Sequence, residues 1–203
     1  MKEQFAELIL NNKFCVVGNS PKETGSGNGS LIDSYDIVIR FKNYDTTEDH
    51  SEDYGKKTDV WSTPFNLTQF YRDPAQYKAS LCCLPLHIPR WRLYFGKWNI
   101  DYDVLGRYED VVQYVPHKWF EEVWYKYESG QPSSGIITLY WMYKILGRKL
   151  KSEDLFGFGL FDPEEPHHYF NRKESDISKE WRKSTHLTHP RKIEKRIWRE
   201  IVE

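Results

Sequence analysis

The chain has no apolar run approaching the roughly eighteen residues that a membrane-spanning helix needs, so nothing in it reads as a span. Its first residues, Met1-Lys2-Glu3-Gln4-Phe5, lack the apolar centre of a secretory signal, and the sequence taken alone reads as soluble and without a targeting address. Cysteine is scarce: Cys15 and the adjacent Cys82-Cys83 make neither a disulfide framework nor a spaced zinc site, and each reads as a small buried hydrophobe. Excess charge is missing too. Lys+Arg 29 against Asp+Glu 30 leaves −1, which gives no signal for a polyanion and so excludes nucleic acid as an expected partner. No Gly-Lys-Ser/Thr marks a P-loop, and Gly25-x-Gly27-x-Gly29 does not have the spacing of a dinucleotide fingerprint.

What is present is a chain of 203 residues, enough for one domain over 1–203 with a sizeable core. Aromatic residues make up 16%, with eight Trp and fourteen Tyr, which permits stacking on sugars but equally serves core packing. The organising stretch is Phe14 to Tyr44. A short apolar run, Phe14-Cys15-Val16-Val17, ends at Gly18-Asn19-Ser20, and a second, Asp36-Ile37-Val38-Ile39-Arg40-Phe41, ends at Lys42-Asn43. Short β-branched runs bounded by Gly, Ser and Asn predict buried parallel strands, hence an α/β fold with a mostly parallel central sheet flanked by helices. In such sheets the carboxyl ends of the strands are where ligands sit, and backbone N–H groups there suit an anion.

The remaining chain is read in order. Phe5, Leu8 and Ile9 share a helical face over Glu3 to Leu10, whereas Asp45 to Asp53 gathers acids without an apolar period and reads as a solvated loop. Thr58 to Trp61 and Ser80 to Leu84 read as strands, and the aromatic-rich stretch from Pro85 to Gly106 as loops that meet an acceptor. Phe120, Val123, Trp124 and Tyr127 predict a helix over His117 to Glu128. Another opens at Ser133-Ser134-Gly135, with Ile136, Leu139, Tyr140 and Tyr143 on one face and Gly147 near its end; Ser133 or Ser134 caps it, and its N-terminus favours an anion. Asp154 to Gly159 reads as strand then turn. Ile193, Ile197, Trp198 and Ile201 predict a last helix from about Pro190, with His189 at its N-terminus. Asp101-Tyr102-Asp103 has the Asp-x-Asp form that can hold a divalent metal beside a nucleoside diphosphate, although a solvent-facing pair explains it as well.

Four blocks of this sequence resemble the motifs of glycosyltransferase family 29, the sialyltransferases. Val16-Val17-Gly18-Asn19-Ser20, Gly29, Ile32-Asp33-Ser34-Tyr35-Asp36 and Arg40 are similar to its large motif. Pro132-Ser133-Ser134-Gly135 and Phe156-Gly157-Phe158-Gly159 resemble the two ends of its small motif, with a longer interval read as a longer helix or turn around Gly147 to Ser152. His167-His168-Tyr169-Phe170 resembles the third motif, and His189-Pro190-Arg191-Lys192-Ile193-Glu194 the very short one. The blocks cover about a third of the chain and stand in the family's order.

The resemblance implies a single Rossmann-like nucleotide-binding domain, a GT-A variant, that moves a keto-sugar acid (sialic acid or Kdo) from its CMP donor to a hydroxyl of a glycan or glycolipid acceptor. It implies inversion at the anomeric centre and no metal or other cofactor. Catalytic roles carry over to His189 as general base, His168 beside the donor phosphate and Glu194 in support. Donor binding carries over to Asn19, Ser20, Asn43, Ser133, Ser134, Gly135, Gly157, Gly159 and Tyr169. Three departures stand out. Cys15 lies in the large motif, but Tyr143 occupies the place of the cysteine that bridges to it in animal enzymes, which implies a reducing, cytoplasmic setting. Lys42 stands where the family has Asn, with Asn43 one place later, and Pro21-Lys22 replaces a common Gly-Asn pair. A microbial relative working on a glycolipid or surface-polysaccharide precursor fits this picture, with peripheral membrane contact left open. The competing readings are a metal-dependent transferase using Asp101 and Asp103, and a nucleotide- or glycan-binding module without catalysis.

Overall fold

The computed structural model describes residues 4–65, 72–84, 106–126, 132–160, 168–170 and 191–203. Helix α1 (Gln4–Asn11) buries Phe5 and Ile9 and leads into strand β1 (Phe14–Val17), all four of whose residues are buried. A short turn of 3₁₀ helix at Pro21–Glu23 and helix α2 (Gly29–Asp33) carry the chain to β2 (Ile37–Phe41). Helix α3 (Glu48–Tyr54) then leads to β3 (Val60–Thr63), β4 (Ala79–Cys82) and β5 (Val112–Tyr114). Helices α4 (His117–Tyr125) and α5 (Ser134–Leu146), strand β6 (Leu155–Phe156) and helix α6 (Arg191–Ile201) complete the order.

The six strands form one sheet in the order β5-β4-β3-β2-β1-β6, and every pairing is parallel. Because a strand's side chains alternate, β1 and β2 feed two cores at once. Phe14, Val16, Ile37, Ile39 and Phe41 join the larger one with Phe5, Trp61 and the α5 residues; Cys15, Val17 and Val38 join a smaller one with Ile32, Tyr35, Tyr54, Phe156 and Tyr169. Arg40 alternates onto the smaller face and is fully buried, where Nη2 donates to Tyr54 O at 2.6 Å and Nε to Lys57 O at 3.0 Å. Helix α5 is buried on several sides, including Ile137 and Trp141 beyond the expected face, because it packs against α1, α4, α6 and β3. Each large side chain so buried contributes about 1.5–3 kcal/mol, which makes this helix the centre of the larger core.

One expectation changes. The acidic stretch Asp45 to Asp53, read as a solvated loop, holds α3: Glu48 and Asp49 occupy its first turn, where the helix dipole favours acids, and Tyr54 anchors its end in the core. Its packing on α2 is so close that a Cβ on Gly29 would lie 2.0 Å from Ser51 O. Of the two alternatives read for the interval around Gly147 to Ser152, a longer helix or a turn, the structure has the turn. Gly147 ends α5 with φ 63, and Leu150 then pairs with the chain's end, its N–H donating to Ile201 O at 2.8 Å.

Strands β1 to β5 step outward in one direction, whereas β6 returns to the other side of β1. The topological switch point therefore lies between β1 and β6, and the crevice beyond their carboxyl ends is the place to look for a site.

Candidate active site

At that switch point the loops after β1 and β6 are in direct backbone contact. Gly18 N–H donates to Phe156 O at 2.8 Å and Ser20 N–H to Gly157 O at 3.0 Å. A Cβ on Gly18 would stand 2.4 Å from Gly157 O, so only glycine allows the approach, and Gly157 also has φ 66. Gly157 N–H in turn donates to Glu23 Oε1 at 3.0 Å.

Asn19 ties the next strand into the same place. Its Nδ2 donates to Asn43 O at 2.7 Å and Phe41 O at 3.2 Å, so the end of β2 is held against the end of β1. Its Oδ1 is buried and has no hydrogen-bond partner among the described residues, which leaves an acceptor for a donor group on a ligand. The Asn19 carbonyl accepts from Tyr169 N–H at 3.0 Å, which brings the 168–170 segment over the crevice. Tyr169 is buried, its ring stacked on Tyr54 at 3.8 Å, and its hydroxyl donates to Asp45 O at 2.5 Å while accepting from Asp45 N–H at 2.8 Å. Burial pushes the Tyr169 phenol up to about 12, so it stays a neutral anchor. His168, next to it, is partly buried with its ring 5.1 Å from that of Phe170.

The opposite wall is the start of α5. Ser133 caps it, Oγ accepting from Ile136 N–H at 3.2 Å. Glu194, buried in the first turn of α6, receives the Ser133 N–H on Oε1 and the Ser133 hydroxyl on Oε2, both at 3.0 Å. Glu194 thus positions the helix start. Gly135 lies against Phe158, whose ring also meets Phe41 and Trp198 in edge and tilted contacts, so the two ends of the small-motif resemblance are neighbours in space. Ser134 hydrogen-bonds the Cys83 thiol at the end of β4; burial pushes that thiol up to about 11.

Asn19, Ser20, Asn43, Ser133, Ser134, Gly135, Gly157, Tyr169, His168 and Glu194 therefore gather around the carboxyl ends of β1, β2, β4 and β6, and Gly159 follows three residues after β6. His189, Asp101 and Asp103, and the acceptor-loop stretch from Pro85 up to Leu105, lie outside the described residues. The glycine-rich loop has a structural job. Gly25 and Gly27 donate their N–H groups to the Asp53 carboxylate at 2.7 and 2.9 Å, so α3 already holds them. Cys15 packs on the sheet face away from α5, its thiol pushed up to about 12 by burial, and Phe14 rather than Cys15 contributes to the core that Tyr143 packs against.

Residues 10–80, which hold β1 to the start of β4 and the whole large-motif resemblance, match the model of glycosyltransferase family 29 (sialyltransferase). The chain is also 27% identical over 185 aligned residues to the CMP-N-acetylneuraminate-beta-galactosamide-alpha-2,3-sialyltransferase 1 of Sus scrofa. Over residues 10–80 the chain is similar to glycosyltransferase family 29. That alignment covers 83% of this chain and 50% of the porcine protein, so the chain spans half the length of this relative. The fold agrees. A mammalian sialyltransferase crystal structure superposes with a TM-score of 0.59 at 20% identity, covering 91% of this chain and 64% of the other. A second, of a mammalian sialyltransferase in complex with Gal-beta-1-3GalNAc-ortho-nitrophenol, gives 0.57 at 20% identity, covering 90% and 62%. Among the described residues no helix is long and apolar enough to cross a membrane.

Proposed function

We propose that this chain is a sialyltransferase-like enzyme that moves a keto-sugar acid from a CMP donor to a glycan hydroxyl. The observation that carries the reading is the meeting of Asn19, Ser133 and the His168-Tyr169 pair around the switch point, in a chain similar to family 29 over residues 10–80. The cytidylate lies between the loop after β1 and the start of α5. The sugar carboxylate and phosphate take the polar groups of Asn19, Ser20, Asn43 and Ser133 to Gly135.

CMP leaves as a phosphate monoester, so one displacement at the anomeric carbon inverts the centre and needs no metal. His189 precedes α6 by two residues in sequence, and we assign it the part of general base. It removes the proton from the acceptor hydroxyl as the new C–O bond forms and the bond to phosphate breaks. General-base help of this kind contributes roughly two to four orders of magnitude in rate. His168 donates to the departing phosphate, and Tyr169 holds it in place through Asn19 and Asp45. CMP-sialic acid is the first donor, because the porcine relative's name carries that donor, and CMP-Kdo the second. A galactose-terminated glycan is the first acceptor to try on the same ground. We place the work in the cytosol, where the buried thiols of Cys15, Cys82 and Cys83 remain reduced, on a glycolipid or polysaccharide precursor.

The test is CMP release from CMP-sialic acid and from CMP-Kdo, each with and without excess chelator, in wild type and His189→Ala. Release from one donor, unchanged by chelator and lost in the variant, supports the proposal. Release abolished by chelator returns the reading to a metal-dependent transferase, and CMP binding without any release returns it to a non-catalytic module.

A further inference from the structure

We infer that the Lys42 ammonium is the counter-charge for an anionic oxygen of the donor, phosphate or sugar carboxylate, at the carboxyl end of β2. The inference rests on the donor class proposed above and concerns a residue that the family resemblance marks only as a departure.

Lys42 directly follows the last residue of β2 and has φ 46, a left-handed conformation that Asn or Gly adopts more easily than Lys. The conformation is imposed from both sides. Its N–H donates to Ser62 O at 2.9 Å and its carbonyl accepts from Trp61 Nε1 at 2.8 Å, and Trp61 is fully buried. The next residue, Asn43, supplies the carbonyl that holds Asn19, so Lys42 sits inside the frame of the site. Its side chain is partly buried. Burial opposes its charge most, and Cys83 at the end of β4 and Glu194 on α6 favour it. Desolvation holds its pKa below the ordinary lysine value.

Three costs coincide at this one position: a left-handed backbone, a partly dehydrated cation and no ion pair among the described residues. Glu194, whose two oxygens hold Ser133, favours the charge from a distance and forms no ion pair with Lys42 among the described residues. A strained, unpaired cation at the strand ends is explained by an anion that arrives with the ligand. A CMP-activated keto-sugar acid brings two, one on the phosphodiester and one on the carboxylate. An incoming anion also raises the proton affinity that desolvation lowers.

The experiment is calorimetric titration of wild type, Lys42→Met, Lys42→Asn and Lys42→Arg with CMP, cytidine, N-acetylneuraminate and Kdo. Met and Asn are expected to weaken CMP or the free sugar acids about ten- to hundredfold, the range of a charge-assisted hydrogen bond, with cytidine within about twofold and Arg restoring most of the loss. A CMP loss assigns the phosphate, a sugar-acid loss the carboxylate. Lys42→Asn also suits the left-handed backbone, so its thermal midpoint is expected to equal or exceed that of wild type while its anion binding falls; this separates a binding role from a structural one. Met and Asn variants that bind CMP and both sugar acids as wild type does overturn the inference while leaving the CMP reading intact. Wild type that binds UMP and GMP as tightly as CMP, and loses all three in Lys42→Met, overturns the CMP reading and leaves Lys42 standing. Wild type that binds no nucleotide and no sugar acid overturns both.

Discussion

Glu194 holds Ser133 by both of its carboxylate oxygens, one on the backbone N–H and one on the hydroxyl, each at 3.0 Å. Two segments 61 residues apart are thereby locked, and the start of the central helix α5 is set by the first turn of α6, the helix that His189 precedes. Removing the buried carboxylate leaves the Ser133 N–H unpaired at a helix start. Glu194→Ala is therefore expected to cost about 2–4 kcal/mol in chemical denaturation. Glu194→Gln costs less but loses the acceptor for the hydroxyl. A double-mutant cycle with Ser133→Ala checks the coupling, which vanishes if the two side chains act independently.

Gly18 and Gly157 define how closely the loops after β1 and β6 approach. Gly18→Ala places a methyl group 2.4 Å from a carbonyl oxygen that cannot step aside without parting the loops. The expected loss is about 3 kcal/mol, measured by thermal or urea unfolding, together with weakened CMP binding. Wild-type stability in this variant would show that the contact is looser than described.

Tyr169 anchors its segment through one hydroxyl that both donates to and accepts from the backbone of Asp45. Tyr169→Phe keeps the ring stacked on Tyr54 but leaves that N–H and that carbonyl unpaired, at a cost of roughly 1–3 kcal/mol. Turnover should fall further than stability alone explains, because the adjacent His168 loses its support. A variant with full turnover would separate the anchor from the chemistry.

Asp53 gives an acid-side signature. The Gly25 N–H, with those of Gly27 and Ser26, holds its carboxyl below the ordinary 3.8. A depressed folded value contributes stability that is present above the unfolded value and lost as pH falls through the folded one. Wild type should therefore exceed Asp53→Asn in thermal midpoint at neutral pH, and the gap should close as the pH is taken from about 5 to about 2. A constant gap would mean that the loop is ordered by something other than this carboxylate.

Much of this was legible in the sequence, for reasons that differ by element. The runs Phe14 to Val17 and Ile37 to Phe41 announced parallel strands because both faces of each are buried, and Ser133 announced a helix start because serine competes for free backbone N–H groups. Helix α3 was hidden because only Tyr54 in Glu48–Tyr54 is buried and no apolar period exists; Thr47 ahead of Glu48 and Asp49 was the available signal. The role of Asp53 could not be read, since nothing in composition says which acid a glycine loop will meet. The same holds for Glu194 and Ser133, whose pairing depends on tertiary structure alone. Lys42 was visible as an oddity, but the strain that gives it meaning lies in the backbone and in the indole of Trp61.

The most direct measurement is a crystal structure of the protein with CMP bound. The account predicts the nucleotide in the crevice between Asn19 and Ser133, its polar atoms within hydrogen-bond distance of Asn19, and His189 facing the vacant sugar position. CMP bound elsewhere, or His189 remote from that position, would contradict it.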